Sequence, residues 1–378
     1  MDKTWDVRTN DDLDDELTGK TVSFLGSFLP EGVDSVWSVE HFRWKLGEAN
    51  PAGRGFMTVA VYSDDVIGVT SITRKRMWDG RSEVVAAEIG DTFSHPDFRK
   101  EGRAARPYES AGKEDKYLSR SVFGRLVSET RERAELAGIS LIYGTPNNNS
   151  MPGYINRLGF FDYESHFNRY FVRPAPAALI KRLPPLAPLR GFLHRLDRTY
   201  SATLRSISTN RGRLRAEEIA DAGDEINGLW QRLKDGMPFG PLRDAAYFKY
   251  RFLENPLARY RLWSVKQADS LCGVFVTRTS AIVGGQMTCH LADWLLDSDV
   301  KGIFRFVVAH MIVEHSCRNL ESYGFWAERD WAARQGLLRI GCIGRHRVPI
   351  IFLDNKDSRQ LDASGSKLNF TLATSDNI

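Results

Sequence analysis

Apolar residues along this chain keep two rhythms. Runs at 56–62 and 66–72 flank Ser63-Asp64-Asp65, a strand–turn–strand pattern. A third strand is expected at 84–93, within Glu83-Val84-Val85-Ala86-Ala87-Glu88-Ile89-Gly90-Asp91-Thr92-Phe93. The rhythm then changes: Val122, Phe123, Leu126, Val127, Thr130, Ala134 and Ala137 recur at helical spacing. Ser119 or Ser121 can cap that helix, and Gly138 sits where a C-terminal glycine belongs. A short apolar run at 139–143 gives the next strand, and the polar loop Thr145-Pro146-Asn147-Asn148-Asn149-Ser150 leads to Leu158-Gly159-Phe160. Residues 160–172 read as a hairpin or long strand closing a first domain. Upstream, Ser38 can cap a helix through Leu46 that Asn50-Pro51-Ala52-Gly53 breaks. Residues 103–120 carry proline, glycine and charge without periodicity and read as a surface insertion.

Downstream the pattern resumes. A helix is expected at 222–233, strands at 262–265, 273–278, 286–291, 323–327 and 348–353, and a helix at 304–315. The last 20 residues or so are polar and are expected to fray. Between the halves, five prolines fall within 174–188. Arg190, His194, Arg195, Arg198, Arg205, Arg211, Arg213 and Arg215 follow, opposed only by Asp197. Two readings stand: a linker with a solvated basic face, or an amphipathic segment that touches an acidic partner or a membrane surface.

The halves resemble each other. Phe42-Arg43-Trp44-Lys45 and Asn50-Pro51-Ala52-Gly53-Arg54 return as Phe248-Lys249-Tyr250-Arg251 and Asn255-Pro256-Leu257-Ala258-Arg259. From Asn50 the offset is constant at 205 (255 − 50, 273 − 68), which sets Gly68-Val69 on Gly273-Val274. Two copies of one α/β plan are therefore expected.

Composition changes this picture little. A chain of 378 residues favours two domains, and 42% hydrophobic with 26% charged residues is globular composition. A net charge of +4 does not by itself call for nucleic acid, and none is expected as a partner. No stretch approaches the ~20 apolar residues of a transmembrane helix. The start, Met1-Asp2-Lys3-Thr4-Trp5-Asp6, lacks a signal core, so a cytoplasmic location is the expectation. Cys272, Cys289, Cys317 and Cys342 show no CxxC spacing, and buried reduced thiols without a metal site are expected.

The chemistry concentrates between residues 83 and 163. A diphosphate suits a helix start, where unpaired N–H groups and the positive dipole end converge. Arginine and glycine in the preceding turn add charge and close approach. Arg99-Lys100-Glu101-Gly102, after a strand and before a helix, has that composition, and Ser119, Arg120 and Ser121 stand at the helix start. The stretch Asp91-Thr92-Phe93-Ser94-His95-Pro96-Asp97-Phe98-Arg99-Lys100-Glu101-Gly102 resembles the strand and turn of the GNAT acyltransferases, which ends in Arg/Gln-x-x-Gly-x-Gly/Ala. Asn148, Ile155 and Gly159-Phe160 are similar to that superfamily's Asn…Tyr…Gly-Phe ending.

That resemblance implies an α/β fold of two tandem GNAT-like domains, each a mixed twisted sheet flanked by helices. Residues 1–172 would bind acyl-CoA, 173–215 would form a basic proline-containing linker, and 216–378 a degenerate copy that binds acceptor or is structural. Acetyl-CoA is the implied co-substrate, with no metal. A small-molecule or saccharide amine or hydroxyl is the implied acceptor, as in bacterial acetyltransferases of sugars and surface polysaccharides. Glu88 resembles the family's general base, with Asp91 a rival expected on the opposite strand face. Tyr154 is the candidate thiolate donor, although the family's tyrosine aligns with Ile155. Thr92, Phe93, Ser94 and Asn148 would contact the pantetheine arm; Arg99, Gly102, Ser119, Arg120 and Ser121 would contact the diphosphate. The chain departs from the family in carrying Arg103-Ala104 and the insertion after Gly102. The second copy lacks the Arg-x-x-Gly-x-Gly turn and is not expected to bind coenzyme A that way. Two alternatives are an aminoacyl-tRNA-dependent transferase of the cell-wall type and a non-catalytic acyl-CoA-binding or scaffold protein.

Overall fold

A computed structural model describes residues 5–29, 37–99, 121–163, 167–172, 190–209, 213–282, 286–315, 322–328, 332, 334–335, 343–354 and 368–375. Two compact units emerge: 1–164 with 255–257 and 349–367, and 165–254 with 258–348 and 368–378. In chain order the first unit contains β1 (Asp6–Asn10), α1 (Asp15–Gly26), α2 (Val39–Leu46), β2 (Phe56–Tyr62), β3 (Asp65–Trp78), β4 (Glu83–Ser94), the single turn α3 (Pro96–Arg99), α4 (Val122–Leu136), β5 (Leu141–Gly144), α5 (Met151–Arg157) and β6 (Phe161–Tyr163). The second has β7 (Phe167–Val172), α6 (Arg190–Thr209), β8 (Leu214–Ile219), α7 (Asp224–Leu233), α8 (Ala245–Phe248), β9 (Tyr260–Gln267), β10 (Ser270–Ile282), β11 (Gln286–Leu296), α9 (Ile303–His315), β12 (Ser322–Glu328) and β13 (Ile343–Arg347). The chain then returns to the first unit as β14 (Ile350–Asp354).

The first sheet runs β1-β2-β3-β4-β5-β14-β6, antiparallel except where β4 meets β5. Side-chain caps start α1 and α2: the Asp14 carboxylate accepts from Leu17 N at 2.9 Å, and Ser38 Oγ from His41 N at 3.0 Å. Ser63 and Asp64 both take positive φ, which matches a tight hairpin turn to the strand twist. Apolar side chains cover both faces. Leu25, Phe42 and Leu46 of α1 and α2 pack on Met57, Val59 and Val69. Val127, Ala134, Tyr154 and Leu158 of the α4–α5 side pack on Ile72, Ile89, Ile142 and Ile351.

The second sheet runs β13-β7-β12-β11-β10-β9-β8, with β11 and β12 as its parallel pair. Its core lies under α9, where Phe304, Val308, Met311 and Ile312 meet Phe275, Leu291 and Phe325. Each unit therefore has a mixed sheet flanked by helices. The repeated glycines are explained by space. A Cβ on Gly68 would stand 2.6 Å from Val122 Cγ1, and one on Gly273 2.5 Å from Leu296 Cδ2.

The units differ from the expected division in three places. The strand 167–172 does not close the first unit: Tyr170 stacks on Phe325 at 5.4 Å, and β7 pairs with β12 and β13 in the second sheet. The run 350–354 does not complete the second unit, because Ile351 and Leu353 fill the core beside β5. The expected linker is partly α6 of the second unit; Leu204, with Tyr200 and Ile207 one turn to either side, joins the α9 core. Residues 173–189 and the 103–120 insertion lie outside the described residues. Nor do residues 368–375 fray: Leu368, Phe370 and Leu372 are buried, and the Asn369 carbonyl accepts from Arg243 Nη2 at 3.0 Å. Cys272 and Cys289 are buried free thiols, with burial pushing the Cys272 thiol up to about 11; Cys317 and Cys342 lie outside the described residues. Among the described residues no helix is long and apolar enough to cross a membrane.

Candidate functional site

The candidate site forms where β4 parts from β5. The two strands pair in parallel over only three positions, Ala86↔Leu141, Ala87↔Ile142 and Glu88↔Tyr143. On its other side β4 stays paired with β3 as far as Ser94. Among the described residues, the β5-facing backbone of β4 from Ile89 to Phe93 therefore lacks a strand partner. A bulge marks the same stretch. Val69 pairs with Phe93 and Ser71 with Gly90, so Asp91 and Thr92 together oppose Thr70. Asp91 takes φ +49°, a left-handed conformation that aspartate tolerates better than most residues.

The bulge resets which way side chains point. Strict alternation would place Asp91 opposite Glu88, as expected from the sequence. Instead the Asp91 carboxylate lies on the Glu88 face, because the positive-φ residue turns it toward Ser71 and α2. Lys45 Nζ pairs with Asp91 Oδ2 at 2.7 Å, with side chains only 2% and 8% exposed. Ser71 Oγ donates to Oδ2 at 2.7 Å and Trp37 Nε1 to Oδ1 at 3.0 Å. Burial alone would raise the Asp91 pKa. Lys45, followed by the Ser71 and Trp37 hydrogen bonds, outweighs burial and holds it below the ordinary 3.8. A carboxylate so engaged has little basicity to offer a substrate. Glu88 is 1% exposed, with Lys75 Nζ 3.3 Å from its Oε2.

Thr92 points to the other face, and there it meets Tyr154. The Tyr154 hydroxyl donates to Thr92 Oγ1 at 2.8 Å, and Thr92 Oγ1 lies 2.9 Å from Thr70 Oγ1. The Tyr154 ring packs edge-on against Phe123 and Phe160. Burial pushes its phenol well above the ordinary 10, only partly offset by the bond to Thr92, so it stays protonated. The phenol therefore arrives one position before the aligned Ile155, which packs into the core. Tyr154→Phe is expected to cost about 1 kcal/mol, the net worth of one neutral hydrogen bond, measured by urea denaturation.

The remaining candidates divide. Phe93 stacks on Phe28 at 5.9 Å and meets Trp37 edge-on, and Ser94 pairs with Gly68 at the strand end. Ser121 caps α4, its Oγ accepting from Gly124 N at 3.3 Å. Ser121 is 8% exposed and Val122 2%, so the first turn of α4 is covered rather than open. The backbone of Arg99 ends α3; Gly102, Ser119 and Arg120 lie outside the described residues. Asn148 is exposed, and its neighbour ties the loop: Asn147 Oδ1 accepts from Asn149 N at 2.9 Å and Ser150 N at 3.0 Å. Lys45, Ser71 and Trp37 were not singled out from the sequence. A signal existed for Lys45, which stands three residues after Phe42 and beside Leu46, on the apolar side of a short helix.

No family model and no curated protein matches the sequence of this chain. Solved structures do match. A GCN5-related N-acetyltransferase from Anabaena variabilis shares 12% identity and a TM-score of 0.58, over 95% of this chain and 75% of its own. A probable N-acyltransferase from Enterococcus faecalis gives 13% and 0.56, over 93% and 73%. Saccharomyces cerevisiae N-myristoyltransferase with bound myristoyl-CoA gives 11% and 0.55, over 93% and 82%. At such identities these likenesses speak for the fold, and they span both units. The chain has the fold of the GCN5-related N-acetyltransferase (GNAT) superfamily.

Proposed function

We propose that the first unit is an acyltransferase that takes its acyl group, acetyl by first choice, from coenzyme A. The acceptor is an amine or hydroxyl of a small molecule or saccharide. The observation that carries this reading is the β5-facing edge of β4 from Ile89 to Phe93, which among the described residues has no strand partner beside the Asp91 bulge. Pantetheine carries amide groups, and an unpaired strand edge offers them N–H and C=O partners. Solved structures of the same fold support the reading, one of them holding myristoyl-CoA. The diphosphate contacts proposed for Arg99, Gly102, Ser119, Arg120 and Ser121 rest on the sequence, because the described start of α4 is covered.

In this reading a thioester in the gap between β4 and β5 is reached from both sheet faces. Glu88 takes the proton of the attacking amine or hydroxyl as the new bond to the acyl carbon forms. The carbon–sulfur bond breaks, and Tyr154, protonated beside Thr92, donates to the departing thiolate. Asp91 keeps the bulge in place through Lys45 and Ser71 rather than exchanging protons.

Acceptor-dependent release of free thiol from acetyl-CoA, across a panel of amines and aminosugars, tests this. Release with at least one acceptor is expected; coenzyme A binding without release would favour the scaffold reading. The aminoacyl-tRNA reading draws on α6, where Arg195, Arg198 and Arg205 are exposed. Product formation only with charged tRNA would select it.

A further inference from the structure

The second sheet reproduces the geometry of the first with different chemistry. In the first sheet Glu88 lies six residues before Ser94, which faces Gly68. In the second, His290 lies six residues before Leu296, which faces the repeated Gly273. Each fourth-strand equivalent carries one extra residue in between, at Asp91–Thr92 and at Ala292. Each is then the last position paired in parallel with the next strand, Glu88↔Tyr143 and His290↔Gly324. Across the antiparallel side, Thr73 faces Glu88 and Arg278 faces His290. A carboxylate and a threonine are thus replaced by an imidazole and a guanidinium.

Alternation places more of this chemistry on one face. Cys289, Leu291, Tyr323, Phe325 and Tyr170 point into the α9 core, so His290, Gly324, Trp326, Arg169 and Phe171 share the face away from it. The Arg169 guanidinium lies over the Trp326 ring, 5.4 Å from its centroid, with Trp326 8% exposed beneath it. Gly324 makes room for the imidazole: a Cβ there would stand 3.3 Å from His290 Nδ1 and 3.6 Å from the Phe171 ring. His290 and Arg278 are half-buried and Arg169 is exposed. Among the described residues, no carboxylate pairs with Arg278 or Arg169. Burial first, then Arg278 and Arg169, lower the His290 pKa to about 4, the behaviour of a recess with uncompensated positive charge.

We propose that this recess at the parting of β11 and β12 binds the oxyanion group, carboxylate or phosphate, of a small molecule. Arg278 and Arg169 supply charge-assisted hydrogen bonds, neutral His290 one N–H, and Trp326 a flat wall. The site stands independently of acyl transfer in the first unit.

Calorimetric titration of the full chain at constant ionic strength, with inorganic phosphate and with acetate as separate probes, tests it. Saturable binding of at least one ion is expected, and the tighter of the two identifies the ligand group. Arg278→Gln should weaken it by about ten- to a hundredfold. Arg169→Gln, at an exposed position that folding tolerates, should weaken it by about tenfold. Arg195→Gln, on exposed α6, should leave it unchanged. Absence of saturable binding of either ion up to about 20 mM, wild-type affinity in both recess variants, or equal loss in Arg195→Gln would overturn the proposal.

Discussion

Glu88→Gln is expected to cut acceptor-dependent turnover by about 10²- to 10⁴-fold, the usual contribution of a general base, while acetyl-CoA affinity stays within a factor of about two. The substitution keeps the shape of a side chain that is 1% exposed and removes only its charge and basicity. Lys75, 3.3 Å away, loses its counter-ion but is itself partly solvated, so folding should survive. Pre-steady-state kinetics with saturating acetyl-CoA separate the chemical step from binding. Unchanged turnover would remove Glu88 as base. Asp91 would not inherit the role, because Lys45, Ser71 and Trp37 already occupy its carboxylate.

The second large effect concerns Asp91 itself. Asp91→Asn is expected to destabilise the first unit by about 3–5 kcal/mol, because it leaves the Lys45 ammonium, 2% exposed, without this counter-ion. Asparagine tolerates the positive φ, so backbone strain contributes little to that figure. The sign of the pH dependence follows from the lowered folded pKa. Stability from this carboxylate is fully present above the unfolded pKa, near 3.8, and is lost as pH falls through the folded value. Wild type should therefore lose stability below about pH 4, and Asp91→Asn should lack that component. Urea melts at pH 7 and between pH 3 and 5 measure both effects. Equal stability of the two proteins at pH 7 would contradict the role given to the pair.

The second unit repeats the device. Asp293 lies three residues before Leu296, as Asp91 does before Ser94. It accepts from buried Arg243 Nε at 2.9 Å, half-buried Tyr247 OH at 2.5 Å and buried Thr371 Oγ1 at 2.9 Å. Burial and then Asp293 push the Tyr247 phenol well above 10, so it remains a donor. A buried carboxylate beside the bulge, met by a buried cation from earlier in the chain, is thus common to both sheets.

Much of this arrangement was legible in the residues. The 205-residue offset found both hairpins, and the β4–α4–β5 stretch was placed by periodicity, the Ser121 cap and Gly138. What local pattern could not give is where strands go. An apolar run such as Ile350-Ile351-Phe352-Leu353 fits either sheet, and only the gap beside β5 assigns it to the first. Alternation also misplaced the Asp91 carboxylate, since one positive-φ residue turns the side chain and no composition signal announces it. Thr92 and Tyr154, both candidates from the sequence, meet on one face of β4, and Glu88 stands on the other. Lys45, Trp37 and Ser71 come from elsewhere in the chain and meet Asp91 only through the fold.

Hydrogen–deuterium exchange of peptides spanning Ile89 to Ser94, with and without saturating acetyl-CoA, tests most directly whether β4 is the cofactor strand. Slowed exchange across this segment, reversed when acetyl-CoA is removed, is the result we expect. Saturable acetyl-CoA binding that leaves these amides untouched, or no binding at all, would contradict the assignment.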